Sequence, residues 1–307
     1  MSATVAEGRF RGEAAITLTA GHLVATFLPE LGMTGVSLRY RNQEHLALPG
    51  GLAALRGGAT LGLPLLAPWA NRLARRRYRA AGVAVSLTGL RLNTDEHGLP
   101  IHGLLVGQPG WRLTRTEVRG DAAHLGASID VDSPAFPFPH RIELAIRARD
   151  GQLRVDTTVV PTGRRRVPVA FGWHPYLQLP STPRGRWRLH LPTRQHLELD
   201  TLGIPTGASS PEPAEAGAVG RRTLDDLYAL GRNRRLSLRA DDGAAIELWC
   251  ATNYPYAQVW VPPGRTFAAL EPMTAPTNAL EVGTTPLVPR GGAYTTRFAL
   301  TVSAAGS

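Results

Sequence analysis

A chain of 307 residues that is 43% hydrophobic and 19% charged can bury a large core, and its composition excludes intrinsic disorder. Its formal charge of +10 rests wholly on arginine, since all 34 basic residues are Arg; Schiff-base catalysis, pyridoxal phosphate anchoring and a P-loop lysine are therefore excluded. The single cysteine, Cys250, excludes an intramolecular disulfide and any cysteine-rich zinc or iron–sulfur site, and it agrees with a cytoplasmic location.

No apolar run approaches the roughly 18 residues that span a bilayer. The opening MSATVAEGRFRGEAAITL lacks the basic-then-apolar pattern of a signal peptide, so no membrane association is expected. Arginine clusters at Arg75 to Arg77, Arg164 to Arg166, and Arg232, Arg234 and Arg235 are scattered between strand-like segments. No nucleic-acid-binding motif accompanies them, and nucleic acid is not an expected partner.

In chain order, His22 to Leu28 (HLVATFL) and Met33 to Tyr40 (MTGVSLRY) are short β-like runs separated by Pro29 and Gly32. Gly62 to Gly82 follows, where Pro64 and Pro68 stiffen the backbone ahead of Trp69, Asn71 and Arg72. The planar fork of Arg72 suits two neighbouring hydroxyls, although a proline-rich corner with a surface arginine has the same appearance. In Asn93 to Trp111 (NTDEHGLPIHGLLVGQPGW), His97 and His102 lie on a loop at a spacing that is weak evidence for a metal site.

The clearest hairpin is Arg141 to Val160, where Ile142, Leu144 and Ile146 alternate with polar residues before a turn at Asp150-Gly151. In Phe171 to Leu179 (FGWHPYLQL), Trp173 and Tyr176 flank His174, an arrangement open to both a packed core histidine and a functional one. Gly203 to Gly220, rich in Pro, Gly, Ala and Ser, reads as a long surface loop, and Leu224 to Leu230 as one or two helical turns. Arg234 to Cys250 repeats the hairpin logic with a turn at Asp242-Gly243, and Ala257 to Val261 and Tyr294 to Val302 are further strands. Between them, Phe267 to Leu280 (FAALEPMTAPTNAL) sets Glu271 at the end of an apolar run, a costly position for a carboxylate without a partner or a task. With 25 prolines and 33 glycines punctuating short strands, and no repeat or linker, the chain is expected to form one all-β domain over 1–307, a large antiparallel β-sandwich.

Taken together these stretches resemble the aldose 1-epimerase (galactose mutarotase) family, as a divergent bacterial member, from about Leu23 to Val302. LVATFLPELGMTGVSLRY is similar to that family's opening hairpin, and PLLAPWANRL with Tyr78 and Gly82 to its Asn-Arg segment. IHGLLVGQPGW and GWHPYLQL resemble its two histidine segments, TLDDLYAL its Asp-containing loop, and LEPMTAPTNAL its Glu-Pro motif. After His102 the chain has Gly-Leu where galactose mutarotases proper have a double glycine.

The resemblance implies a supersandwich fold, no cofactor and no metal. It also implies a monosaccharide substrate, with Glu271 as general base, His174 as general acid and His102 assisting at the ring oxygen. Arg72 and Asp225 would hold substrate hydroxyls with Asn71 in support; Asp226, adjacent to Asp225, competes for that role. Trp69, Trp173 and Tyr176 suit either the apolar face of a pyranose or plain core packing.

The chemistry asks for such a set. Anomers exchange through the open-chain aldehyde, so one proton leaves the C1 hydroxyl while another reaches the ring oxygen. A glutamate with a reference pKa of about 4.3 is expected ionised, and a histidine near 6.5 partly protonated. Three other readings are a hexose 6-phosphate epimerase using Arg75 to Arg77 for the phosphate, a non-catalytic sugar-binding protein, and a glycoside hydrolase. The last needs paired carboxylates, and only Glu271 stands in a suitable context. A monomer or a homodimer satisfies the sequence equally.

Overall fold

Alternation of apolar and polar residues dictates the longest strands. Along Phe136–Arg149 and Gln152–Pro161 every second side chain is buried, and Ile146 pairs with Val155 across the turn at Asp150-Gly151. A computed structural model describes residues 2–180 and 182–305; of the 1–307 span expected as one domain, positions 1, 181, 306 and 307 lie outside the described residues.

Two large sheets carry the architecture. The first has nine strands in the order Glu215–Ala218, Trp187–Leu191, Arg235–Ala240, Ala245–Cys250, Tyr294–Ser303, Gln152–Pro161, Phe136–Arg149, Ala122–Ser133 and Arg112–Arg119. The second has eight, in the order Pro205–Glu212, Arg194–Leu199, Leu224–Leu230, Tyr256–Val261, Ala268–Met273, Gly172–Trp173 and Leu65–Leu66, with Tyr176–Leu177 also paired to Ala268–Met273. A five-stranded sheet within residues 4–44, built from consecutive strands, packs beside them. All pairings between named strands are antiparallel. The fold is the expected all-β antiparallel sandwich, and no helix among the described residues is long and apolar enough to cross a membrane.

One apolar core joins the two large sheets, and it includes Leu270, Val259 and Ala257 from the second and Val155, Phe298 and Leu300 from the first. Because successive side chains on a strand point to opposite faces, the residues between these apolar ones emerge on the other side of the second sheet. Gln258 and Glu271 are among them and lie directly opposite each other, and Asp225 joins that face from the next strand, opposite Trp260. Loops from elsewhere in the chain cover this polar face, which makes a pocket of it.

Two local expectations are corrected. Leu224–Leu230 is a strand rather than helical turns, paired on both sides, with Leu224 opposite Val261 and Leu230 opposite Arg194. Seven residues are too few for periodicity to separate the two conformations, and the neighbouring strands decide. Gly203 to Gly220 is not one loop but contains the strands Pro205–Glu212 and Glu215–Ala218, each at the edge of a different large sheet. Their side chains are mostly exposed, so no apolar alternation marks them; backbone pairing alone holds them.

Candidate functional site

Glu271 sits in the middle of Ala268–Met273, a strand in which every residue is buried. His174 lies between the short strands Gly172–Trp173 and Tyr176–Leu177, and its amide donates to the carbonyl of Pro64 at 3.1 Å. This brings Nε2 of His174 within 3.4 Å of Oε1 of Glu271, with both residues at most 5% exposed. The imidazole stacks on Tyr176 at 4.5 Å and meets His102 and Trp260 edge-on at 5.6 and 5.7 Å. The Tyr176 hydroxyl is within hydrogen-bond distance of Thr60 Oγ1, at 2.7 Å. The ring plane of His174 is thus fixed by packing, while its Nδ1 is buried without a hydrogen-bond partner.

Asn71 and His102 are joined through their backbones. His102 N–H donates to the Asn71 carbonyl at 3.0 Å, and both residues adopt positive φ, 56° and 62°. Such a conformation is uncommon outside glycine and collects at functional sites. Gly103 explains the glycine after the histidine: a Cβ there would stand 2.2 Å from the Ala67 carbonyl oxygen. The next position, Leu104, carries a side chain packed at the core margin, so a second glycine is not required here.

Arg72 reaches the pocket beside this pair. Its Nε donates to Asp95 at 2.8 Å and its Nη1 to Asn71 Oδ1 at 3.2 Å. Nη2 lies 3.8 Å from Glu96 and 3.9 Å from Asp225, whose Oδ1 accepts from Gln258 Nε2 at 2.6 Å. Asp226 turns to the opposite face of the strand, where it accepts from the Tyr228 hydroxyl at 3.1 Å.

These side chains line one cavity of about 300 Å³, walled by Thr60, Asn71, Arg72, Glu96, Ile101 and His102 from the loops. His174, Tyr176, Asp225, Gln258, Trp260 and Glu271 complete it from the sheet side. That volume falls at the small end of ligand pockets, roughly 300–1,000 Å³. Asn71, Arg72, His102, His174, Tyr176, Asp225 and Glu271, seven of the residues singled out in the sequence, meet there. Trp173 does not: it is fully buried on the core side, tilted against Phe298 at 5.6 Å, and its indole N–H donates to Thr157 at 3.1 Å. Trp69 is likewise core. The tryptophan in the wall is Trp260, and with Gln258, Thr60, Asp95 and Glu96 it was missed in the sequence. For Gln258 and Trp260 a signal existed, a polar residue within the apolar run AQVWV two positions from an aromatic.

Burial governs the protonation of the central pair. It raises the Glu271 carboxyl well above its usual range, helped by the charge of Asp225 and opposed by Arg72. It lowers the His174 imidazole well below its usual range, with His102 adding to the effect. His102 is pushed down to about 3 by burial and then by the Arg72 charge. The expected ionised glutamate and partly charged histidine are therefore replaced by a buried pair that disfavours either charge alone. A single proton shared between the two would leave the pair neutral overall. Among the described residues no group of three or more His, Cys, Asp and Glu side chains is placed to hold a metal ion.

A family model described as aldose 1-epimerase matches residues 14–301. Among solved structures, the chain is similar to a galactose mutarotase-like protein from Clostridium acetobutylicum, with 18% identity, a TM-score of 0.89, and 98% of this chain and 99% of that one covered. It is also similar to galactose 1-epimerase from Lactobacillus acidophilus NCFM, with 12% identity, a TM-score of 0.77, and 99% of each chain covered. A galactose mutarotase related enzyme from Lactobacillus acidophilus matches at 15% identity and a TM-score of 0.76, over 95% of this chain and 98% of that one. At these identities the likeness establishes the fold. No curated protein sequence matches the chain.

Proposed function

The chain belongs to the aldose 1-epimerase family, and from that premise we propose that it interconverts the α and β anomers of a free aldose such as glucose or galactose. The observation that carries this reading is the 3.4 Å approach of His174 to Glu271 in a cavity of monosaccharide scale. Ring opening moves a proton off the C1 hydroxyl and another onto the ring oxygen, two oxygens bonded to the same carbon. An acid and a base serving both must themselves be close together.

The shared proton fits the same cycle. With the shared proton on His174, Glu271 takes the hydroxyl proton while His174 protonates the ring oxygen, and the pair ends with its proton on Glu271. Rotation about C1–C2 presents the other carbonyl face, and the return transfers restore the starting pair. Because burial penalises separated charges, the neutral form that accompanies the open-chain aldehyde is brought closer in energy to the charged one. His102, uncharged, is available to hydrogen-bond the ring oxygen, while Arg72, Asn71, Asp225 and Gln258 take the remaining hydroxyls. Trp260 and Tyr176 supply the apolar wall.

A free sugar fits better than a phosphorylated one. The arginine in the wall, Arg72, already faces Asp95, Glu96 and Asp225. Arg75, Arg76 and Arg77 line a separate groove with Tyr78, Arg79 and Glu281. On this reading the enzyme is a single domain that needs no cofactor and works in the cytoplasm as a monomer or homodimer. Exchange NMR on equilibrated glucose and galactose tests it: the protein should produce anomer exchange peaks that buffer alone lacks. No added exchange across a panel of free aldoses refutes the activity.

A further inference from the structure

We infer that Asp95 is a positioning residue, which fixes the guanidinium fork of Arg72 and ties it to the loop that carries His102. The inference rests on the sugar-holding role proposed for Arg72. Asp95 is not in the cavity wall, and its side chain is only 1% exposed. Every part of the carboxylate is used: Oδ2 accepts from Arg72 Nε at 2.8 Å, and Oδ1 accepts the amides of His97 and Leu99 at 2.9 and 2.8 Å. Backbone bonds from Gly98 N–H to the Asp95 carbonyl and from Asp95 N–H to the Leu99 carbonyl, both 3.0 Å, close the turn around it. These contacts hold the buried carboxylate in one orientation.

Fixing Nε fixes the whole planar group. With Nε committed to Asp95, the two Nη nitrogens face Asn71 Oδ1, Glu96 and Asp225 along the cavity. On the other side the hairpin turn at Gly203 lies against the same guanidinium. A Cβ at Gly203, whose φ is +71°, would stand 3.1 Å from Nη1. Asp95 also joins two segments. The turn it closes leads into Pro100, whose carbonyl accepts from Leu73 N–H at 2.9 Å, and then into Ile101 and His102, bridged to Arg72 and Asn71. An arginine held in advance loses little freedom when substrate hydroxyls arrive, so the benefit should be read in sugar affinity rather than in the proton transfers.

The test is a double-mutant cycle between Asp95→Asn and Arg72→Ala, read as the dissociation constant for a free aldose by calorimetry and as KM and kcat. The asparagine oxygen keeps the two amide bonds of the turn and loses the charged contact to Nε; Asp95→Ser, shorter but still an acceptor, stands in if the first variant does not fold. The expected result is an affinity loss of about tenfold with kcat within about threefold of wild type, and almost no further affinity loss when Arg72 is already alanine. Equal losses in both backgrounds, or parallel falls in kcat and affinity, overturn the inference. Wild type that binds sugar without exchanging its anomers refutes the epimerase reading and leaves this comparison of affinities intact.

Discussion

Nε2 of His174 and Oε1 of Glu271 approach to 3.4 Å although the two residues come from separate motifs far apart in sequence. The strand Ala268–Met273 pairs with both short strands that flank the histidine, Gly172 lying opposite Met273 and Tyr176 opposite Ala269. Sheet register, rather than a flexible loop, sets the spacing of the two side chains.

The pH dependence of kcat follows from the shared proton. Ordinary groups would be active as carboxylate and imidazolium only between about 4.3 and 6.5. Here burial makes the last proton harder to remove from Glu271 and a second one harder to add to His174. Activity should therefore extend beyond both limits and persist well above pH 6.5. A kcat profile over the enzyme's stable range checks this; an optimum confined to the ordinary window contradicts it.

The two tryptophans should separate cleanly. Trp173→Phe removes the indole N–H that meets Thr157 in the core, which should cost about 1–3 kcal/mol in urea unfolding and leave KM unchanged. Trp260→Ala removes part of the cavity wall and should raise KM roughly 2- to 10-fold, the equivalent of about 0.5–1.5 kcal/mol of ring contact. Steady-state kinetics beside unfolding curves distinguishes the two effects.

Acid sensitivity should have an identifiable source in His45, which is 1% exposed and pushed down to about 4 by burial. Between pH 6.5 and about 4 the unfolded chain binds this proton and the folded one does not. Stability therefore rises with pH across that window and is lost as pH falls through it. His45→Gln should flatten the dependence by about 1.4 kcal/mol per pH unit. Denaturant unfolding at a series of pH values measures the slope, and an unchanged slope refutes the assignment.

The fold was legible where side chains alternate, as at Ile142, Leu144 and Ile146, because half-buried strands impose that period. It was illegible at Pro205–Glu212, an edge strand held by backbone bonds that leave no mark on side-chain type. At the site, His174 and Glu271 stood out as polar groups among apolar ones, and the resemblance named them together. Trp173 misled because neighbours in sequence need not share a face: Trp173 ends its short strand turned to the core, and His174, just beyond it, turns to the cavity. Asp95 went unnoticed because its task is to hold another side chain, and only a contact between Asp95 and Arg72, separated along the chain, reveals it.

Polarimetry of freshly dissolved α-D-galactose and α-D-glucose with wild type, Glu271→Gln, His174→Asn and the double variant tests the central claim most directly. The account predicts acceleration by wild type, a loss of about 10²–10⁴-fold in each single variant, and no comparable further loss in the double variant, since the two groups act as one relay. Single variants that retain near-wild-type rates, or losses that multiply in the double variant, would contradict it.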